Sequence, residues 1–326
     1  MSVHPPFPVI CGPTAGGKTA LAVELALTHA RLGRGDAEIV SADAYLIYKG
    51  LDIGTGKPSE RERRGVPHHL IDIVEPTERF SVHDWLRAAE RTVDEIRARG
   101  NLPIVVGGTH LYIQSILHGL FEGPPPDEAL RQRLRAAPAP QRRAELERVD
   151  PEAAARIHPS DERRTVRALE VYHQTGTPIS RLQTQWAAAQ PDRSDRVLVG
   201  LDWTSEAINR RINARVREML ELGLIEEARG LWASGRLGAQ AGEALGYKQL
   251  VAHFEGRASE HDAIERIKIE TRRFAKNQRT WLRRLRAHPG SVWLQAGTST
   301  PEKLAQSLAD QLFTQRPPSA RQGENT

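Results

Sequence analysis

The sequence predicts an α/β protein: a parallel-sheet core around a phosphate-cradling glycine loop (a P-loop), helices on both faces, and an all-helical insertion domain. Three observations carry this. Residues 12–19 read Gly12-Pro13-Thr14-Ala15-Gly16-Gly17-Lys18-Thr19, the spacing G-x-x-x-x-G-K-[ST], between an apolar run Phe7–Cys11 and an Ala-rich run Ala20–Ala30. Apolar strand runs then alternate with helical periodicity as far as about residue 118. Finally, from Asp127 to about Asp195 strand signals disappear and short helical patterns replace them.

Taken in order, the glycine loop is followed by a helix, and Glu38–Ser41 runs apolar into Asp43. Leu70–Val74 is a further short apolar run. Ser81 has the character of an N-cap with Asp84 in the first turn, and Val82, Leu86, Ala89, Val93 and Ile96 recur at helical spacing up to Gly100. Pro103–Val106 reads as a strand, which Gly107-Gly108-Thr109 turns into a helix over His110–Leu117. Such interleaving indicates a parallel sheet covered on both faces. Gly123-Pro124-Pro125-Pro126 punctuates the chain, and helices are predicted over 127–136, 141–148, 151–157 and 161–175. The strand signal returns at Val197–Leu201. Two helical stretches follow, the first with Ile208, Ile212, Val216 and Leu220 on its buried face. A long helix is predicted over 259–285 and a short strand over 292–294. The predicted organisation is a first core segment (1–118), a helical insertion (119–196), a second core segment (197–314) and a disordered polar tail (315–326).

Composition narrows the function classes. Hydrophobic content of 39% and charged content of 27% are ordinary for a globular chain of 326 residues. The single cysteine, Cys11, precludes an internal disulfide, and its place in an apolar strand fits core packing. No basic N-terminal region precedes an apolar stretch, and no segment approaches 18 apolar residues, so a cytoplasmic protein without a membrane association is expected. Charge is unevenly distributed. Residues 266–286 hold nine Lys or Arg against one acid, Glu270, in a chain whose net charge is only +5. Phe274 and Trp281 lie among these cations. That combination of phosphate-neutralising groups and stacking surfaces points to nucleic acid. Arg131, Arg133, Arg135, Arg142 and Arg143 could extend the basic surface into the insertion, as could Arg163, Arg164 and Arg167.

The chemistry begins at the glycine loop. A strand turning through glycines into a helix aims several backbone N–H groups at one point, where the helix dipole favours negative charge. Lys18 adds a point charge for an outer phosphate, and the Thr19 hydroxyl can hold Mg²⁺. A di- or triphosphate ester is the expected ligand. In parallel sheets ligands sit beyond the carboxyl ends of the strands, which singles out Ser41-Ala42-Asp43 and Gly107-Gly108-Thr109. Asp43 could hold Mg²⁺, accept a proton from a nucleophile, or simply cap a turn. Thr109 could orient a ligand or act as a cap. No Cys/His cluster has metal-ligand spacing, and His68 and His69 read as turn or packing residues.

Taken together, these segments resemble the tRNA dimethylallyltransferase (tRNA isopentenyltransferase) family. The resemblance rests on Gly12–Thr19, Ser41-Ala42-Asp43, Leu46–Thr55, Lys57-Pro58, His69–Asp72, Val106–Thr109, Asp150-Pro151, Ile157-His158-Pro159, Arg167–Val171, Gly246-Tyr247 and Arg279–Arg283. It implies transfer of a dimethylallyl group from dimethylallyl diphosphate to N6 of adenosine 37, beside the tRNA anticodon, by a monomeric enzyme using Mg²⁺. It implies that Gly12, Pro13, Thr14, Ala15, Gly16, Gly17, Lys18 and Thr19 hold the diphosphate, although such loops are commonly read as ATP sites. Asp43 is implied as general base, Thr109 as orienting residue and Lys18 as leaving-group stabiliser. Thr19, with Asp43 as a further candidate, is the implied Mg²⁺ ligand. The implied tRNA contacts are Asp43, Ala44, Tyr45 and Leu46; Thr109; Arg131; Arg163, Arg164, Thr165, Val166 and Arg167; Glu243, Ala244, Leu245, Gly246, Tyr247 and Lys248; and Lys276, Asn277, Gln278, Arg279, Thr280, Trp281, Leu282 and Arg283. Two positions depart from the family pattern. Gly16 stands where Ser is common, which should loosen the loop without removing an amide. Ala44 also stands where Ser is common, which removes a hydroxyl. The competing readings are a P-loop kinase of a small metabolite, prenyl transfer to free adenine nucleotides, and a non-enzymatic RNA-binding switch.

Overall fold

The computed structural model describes residues 5–121, 123–188 and 193–313; the predicted polar tail at 315–326 lies outside the described residues. The chain divides into two compact units, a sheet unit that runs through His118 and resumes at Arg193, and a helical unit within 119–192.

The sheet unit contains six strands: β1 (Phe7–Cys11), β2 (Ala37–Ala42), β3 (His68–His69), β4 (Leu102–Gly107), β5 (Arg196–Asp202) and β6 (Val292–Gln295). They lie in the order β3-β2-β4-β1-β5-β6, every neighbouring pair parallel. Every residue of β1, β2 and β4 is buried, as continuous apolar strands must be when both faces of a parallel sheet are covered. Helix α1 (Lys18–Arg31) follows the glycine loop. A single turn, α2 (Glu60–Arg63), precedes β3, and α3 (Val82–Ala98) and α4 (His110–His118) flank β4. Ser81 and Asp84 form the capping box that starts α3. Residues 70–74 add only an isolated bridge, Val74 to Tyr48, because Leu70 and Asp72 adopt positive φ (59° and 57°), which breaks any extended run.

The register fixes where the site falls. Cys11 lies beside Gly107 on one side and Gly200 on the other, and Gly107 lies beside Ala42. The carboxyl ends of β2, β4 and β1 are therefore level. The residues that follow them, Asp43, Gly108-Thr109 and Gly12–Thr19, leave the sheet at one edge.

In the helical unit, α5 (Glu128–Ala136), α6 (Ala139–Val149), α7 (Pro151–Arg156), α8 (Glu162–Thr175) and α9 (Ile179–Ala188) pack around Leu130, Leu134, Leu146, Val149, Leu169 and Val171. The Asp150-Pro151 motif has a structural explanation. Asp150 caps α7 through Ala153 N (2.9 Å), and it accepts from Ser180 N (3.0 Å) and Ser180 Oγ (2.7 Å), tying α9 to the α6–α7 junction. The remaining helices belong to the sheet unit: α10 (Ser205–Glu221), α11 (Leu224–Ala233), α12 (Tyr247–Phe254), α13 (Glu260–Leu285) and α14 (Pro301–Phe313). The sequence reading passes over α2, α9, α12 and α14; the first is one turn long, and α14 docks against α1 by tertiary packing. A second apolar cluster, including Ile47, Leu51, Ile212, Leu224, Tyr247 and Ala275, joins the segment after β2 to α10–α13. No helix among the described residues is long and apolar enough to cross a membrane.

Candidate active site

The glycine loop is held open by its neighbours. Ala15 and Gly17 take positive φ (58° and 78°), and Gly16 N donates to Pro13 O at 3.0 Å. The loop carbonyls face protein donors: Pro13 O accepts from Lys18 Nζ (2.9 Å), Ala15 O from Arg211 Nε (2.8 Å) and Gly16 O from Trp203 Nε1 (3.1 Å). Arg211 also lies over the Trp203 ring, 5.1 Å from its centroid. With the carbonyls engaged, the amides of Ala15, Gly17, Lys18 and Thr19 have no partner among the described residues. They form an anion cradle at the start of α1. The predicted loosening at Gly16 is not what the loop shows. A Cβ there would meet Pro13 O at 2.7 Å and Trp203 Nε1 at 3.2 Å, so glycine is what lets the loop close against the indole.

Asp43 sits at the end of β2. Its Oδ1 accepts from Tyr45 N (2.9 Å) and Leu46 N (3.4 Å), which leaves Oδ2 without a hydrogen bond among the described residues. One oxygen of the carboxylate thus caps the turn, and the other is open. Thr109 Oγ1 accepts from Ala44 N at 3.0 Å, and Thr109 N donates to Ala42 O at 3.3 Å, so Thr109 braces the backbone on both sides of Asp43.

Burial pushes the Lys18 ammonium down to about 8; Asp43 pulls it up and Arg215 pushes it down further. Arg215, on α10, is likewise lowered by burial and held charged chiefly by Asp43. Its guanidinium donates only long bonds, to Gly56 O (3.3 Å) and Thr55 O (3.5 Å), and it has no carboxylate in ion-pair contact among the described residues. Two confined cations and one carboxylate therefore converge beside the amide cradle, an arrangement that favours a polyanion. Sequence reasoning missed Arg215. The signal was available: it stands four residues after Arg211, beside the buried positions Ile212 and Val216 of α10. Cys11, beneath the loop, is buried and its thiol is pushed up to about 12 by burial, against the pull of Lys18, as a packing residue should be.

For Mg²⁺ the relevant donors are the Thr19 hydroxyl and Asp43 Oδ2, both hard oxygens. Among the described residues no group of three or more His, Cys, Asp or Glu could hold a metal. The donor set fits Mg²⁺, which commonly uses one or two protein oxygens and completes its shell with phosphates and water. It does not fit a metal held by protein alone.

The predicted nucleic-acid residues divide by exposure. On α13, Lys276, Asn277, Thr280 and Arg283 are exposed, Arg279 and Trp281 half-buried, and Gln278 (3%) and Leu282 (3%) buried. Lys276 and Arg283 have no carboxylate partner among the described residues, whereas Arg279 donates to Ser205 Oγ at 2.6 Å. Trp281 stacks on His110, ring centroids 4.5 Å apart, directly after Thr109. In the 243–248 segment, Glu243 and Lys248 are exposed and pair at 2.6 Å, Leu245 is half-buried, and Ala244, Gly246 and Tyr247 are enclosed. Tyr247 has a structural task instead: with Glu227 it holds the loop before α2, Tyr247 Oη donating to Glu227 and Glu227 accepting from Asp52 N, Ile53 N and Gly54 N. In the helical unit, Arg163 and Arg164 are exposed and Thr165 and Val166 are buried. Arg131 and Arg167 both grip the fully buried Glu170, at 2.9 Å and 2.6 Å. The side chains of Thr165, Val166, Ala244, Tyr247, Gln278 and Leu282 are all buried in the protein and present little surface.

Fold and site together define an α/β protein of the P-loop type, with a cluster of open backbone amides at the carboxyl edge of a parallel sheet. The IPP transferase model matches residues 46–285. A tRNA dimethylallyltransferase of Geobacillus kaustophilus is 49% identical over 282 residues, covering 84% of this chain and 86% of that one. The crystal structure of a full-length tRNA isopentenylpyrophosphate transferase from Bacillus halodurans is 36% identical, with a TM-score of 0.67 over 95% of this chain and 97% of that one. A eukaryotic dimethylallyltransferase crystallised while acting on tRNA superposes with a TM-score of 0.77 at 27% identity, over 96% of this chain and 77% of that one. The chain belongs to the IPP transferase family.

Proposed function

We propose that this chain is a tRNA dimethylallyltransferase, moving a dimethylallyl group from dimethylallyl diphosphate to N6 of adenosine 37 and releasing diphosphate. Family membership supports this reaction. The observation that carries it in the structure is the convergence beside Asp43 of Lys18, Arg215 and four loop amides that have no partner among the described residues.

An adenine exocyclic amine is a poor nucleophile because its lone pair is delocalised into the ring. The allylic carbon tolerates developing positive charge, so most of the catalytic benefit lies in stabilising the leaving diphosphate. Donors fixed in advance at the site of developing charge are the usual way to do this. The loop amides, Lys18 and Arg215 would hold the diphosphate as the C–O bond breaks and the N6–C bond forms. Asp43 Oδ2 would take the N6 proton, with Oδ1 kept in place by Tyr45 N and Leu46 N. Thr109 would orient the base. Mg²⁺, held by the Thr19 hydroxyl together with the diphosphate, would supply further neutralisation of the leaving group. A base extruded from its loop is required, since N6 is otherwise stacked away from any protein group. Lys276 and Arg283 on α13 and Arg163 in the helical unit would neutralise tRNA phosphates. We infer a monomer that works in the cytoplasm.

Incubation with radiolabelled dimethylallyl diphosphate, unmodified tRNA and Mg²⁺ tests the reading. Label is expected in tRNA, at adenosine 37. Label in free adenine nucleotides instead, or phosphate transfer from ATP to a metabolite, would replace it.

A further inference from the structure

Gln278 lies on the basic helix α13 but faces inward and is only 3% exposed. Its Oε1 accepts from Thr14 N at 2.7 Å, and its Nε2 donates to Gly108 O at 2.8 Å. One buried amide thus joins the glycine loop to the turn that carries Thr109. The link continues outward: Thr109 Oγ1 accepts from Ala44 N, next to Asp43. Gly108 is shaped for this contact. A Cβ there would stand 2.6 Å from Gln278 Nε2 and 3.3 Å from Lys18 Nζ, so any side chain would displace the clip and crowd the lysine. Because Oε1 occupies the Thr14 amide, Gln278 also decides which loop amides remain for a phosphate.

We propose that Gln278 is a positioning residue that fixes the distance between the diphosphate loop and the Thr109–Asp43 pair. It rests on the reaction proposed above. On this proposal Gln278 acts through its two protein partners and not by touching either substrate. Its effect should fall on the transfer step, because displacement of one partner by a fraction of an ångström spoils the alignment of amine, carbon and leaving group while each ligand still binds. A neighbouring tRNA-contact role would instead lower tRNA affinity.

The test compares full-length wild type with Gln278→Met, which keeps the volume and removes both hydrogen bonds, and Gln278→Glu, which keeps an acceptor for Thr14 N but faces Gly108 O with another acceptor. Four quantities are measured: single-turnover transfer at saturating substrates, tRNA affinity, inorganic diphosphate affinity, and hydrogen exchange at the Thr14 amide. We expect the transfer rate to fall on the order of 10- to 100-fold in both variants, with both affinities within about threefold of wild type. Thr14 exchange should accelerate in Gln278→Met and stay slow in Gln278→Glu. An unchanged transfer rate, or Thr14 exchange as slow in Gln278→Met as in wild type, would overturn the proposal. So would a parallel loss of rate, both affinities and melting temperature, which is the signature of packing alone. If wild type binds diphosphate and tRNA yet transfers nothing, the proposed reaction fails. The clip is then judged by Thr14 exchange alone, which should accelerate in Gln278→Met and in Gly108→Ala; exchange as slow as in wild type in both variants would overturn it.

Discussion

At the scale of single residues, the site works by giving each polar atom one task. Asp43 Oδ1 is committed to Tyr45 N and Leu46 N, and Oδ2 is the proposed acceptor of the proton. Asp43→Asn keeps an oxygen for the two amides and removes only the basicity. Turnover should drop by about 10²-fold or more while tRNA affinity is retained, as measured by single-turnover kinetics and filter binding. Full activity in that variant would remove Asp43 from the proton transfer. Lys18 gives a pH prediction. Burial holds its ammonium near 8, and a bound diphosphate favours the charged form, so the donor binds the protonated lysine more tightly. Donor KM should therefore be flat below about pH 8 and rise above it, by at most about tenfold per pH unit. Lys18→Arg should abolish that rise, because a guanidinium stays charged. A donor KM independent of pH between 7 and 9.5 in the wild type would contradict it.

At the scale of elements, α13 has two faces with different work. Its outer face presents Lys276 and Arg283 without carboxylate partners among the described residues, and its inner face presents Gln278 and Leu282 to the core. Arg283→Ala should weaken tRNA binding and reduce the slope of log affinity against log salt by about 1. An unchanged slope would take Arg283 out of the phosphate contacts. The helical periodicity and surplus charge of α13 were legible in the sequence, but which cations would be free was not. Arg131 and Arg167 read as basic surface, yet both neutralise Glu170, whose complete burial is a tertiary fact. Similarly, the Leu46–Thr55 and Gly246-Tyr247 motifs read as separate signals. Glu227, which the sequence did not mark, is the carboxylate that joins them.

At the scale of the whole molecule, three parts of the site could be read from the chain because each directly follows a strand: Gly12–Thr19, Asp43 and Thr109. Parallel register places such residues at one edge whatever lies between them. Arg215 and Gln278 could not be read in that way. They come from α10 and α13, and Gln278 bonds to a residue 264 positions away in the sequence. Periodicity shows which side of a helix is buried, not what it is buried against. The glycine loop itself points only to a phosphate group; the family likeness is what supports the proposed prenyl donor over a nucleotide. The most direct test is a crystal structure of the protein with tRNA and a non-cleavable thio analogue of dimethylallyl diphosphate. The diphosphate should lie within hydrogen-bond distance of the Ala15, Gly17, Lys18 and Thr19 amides and of Lys18 Nζ and Arg215, with adenosine 37 N6 facing Asp43 Oδ2. A diphosphate bound away from the loop, or an adenine remote from Asp43, would contradict the account.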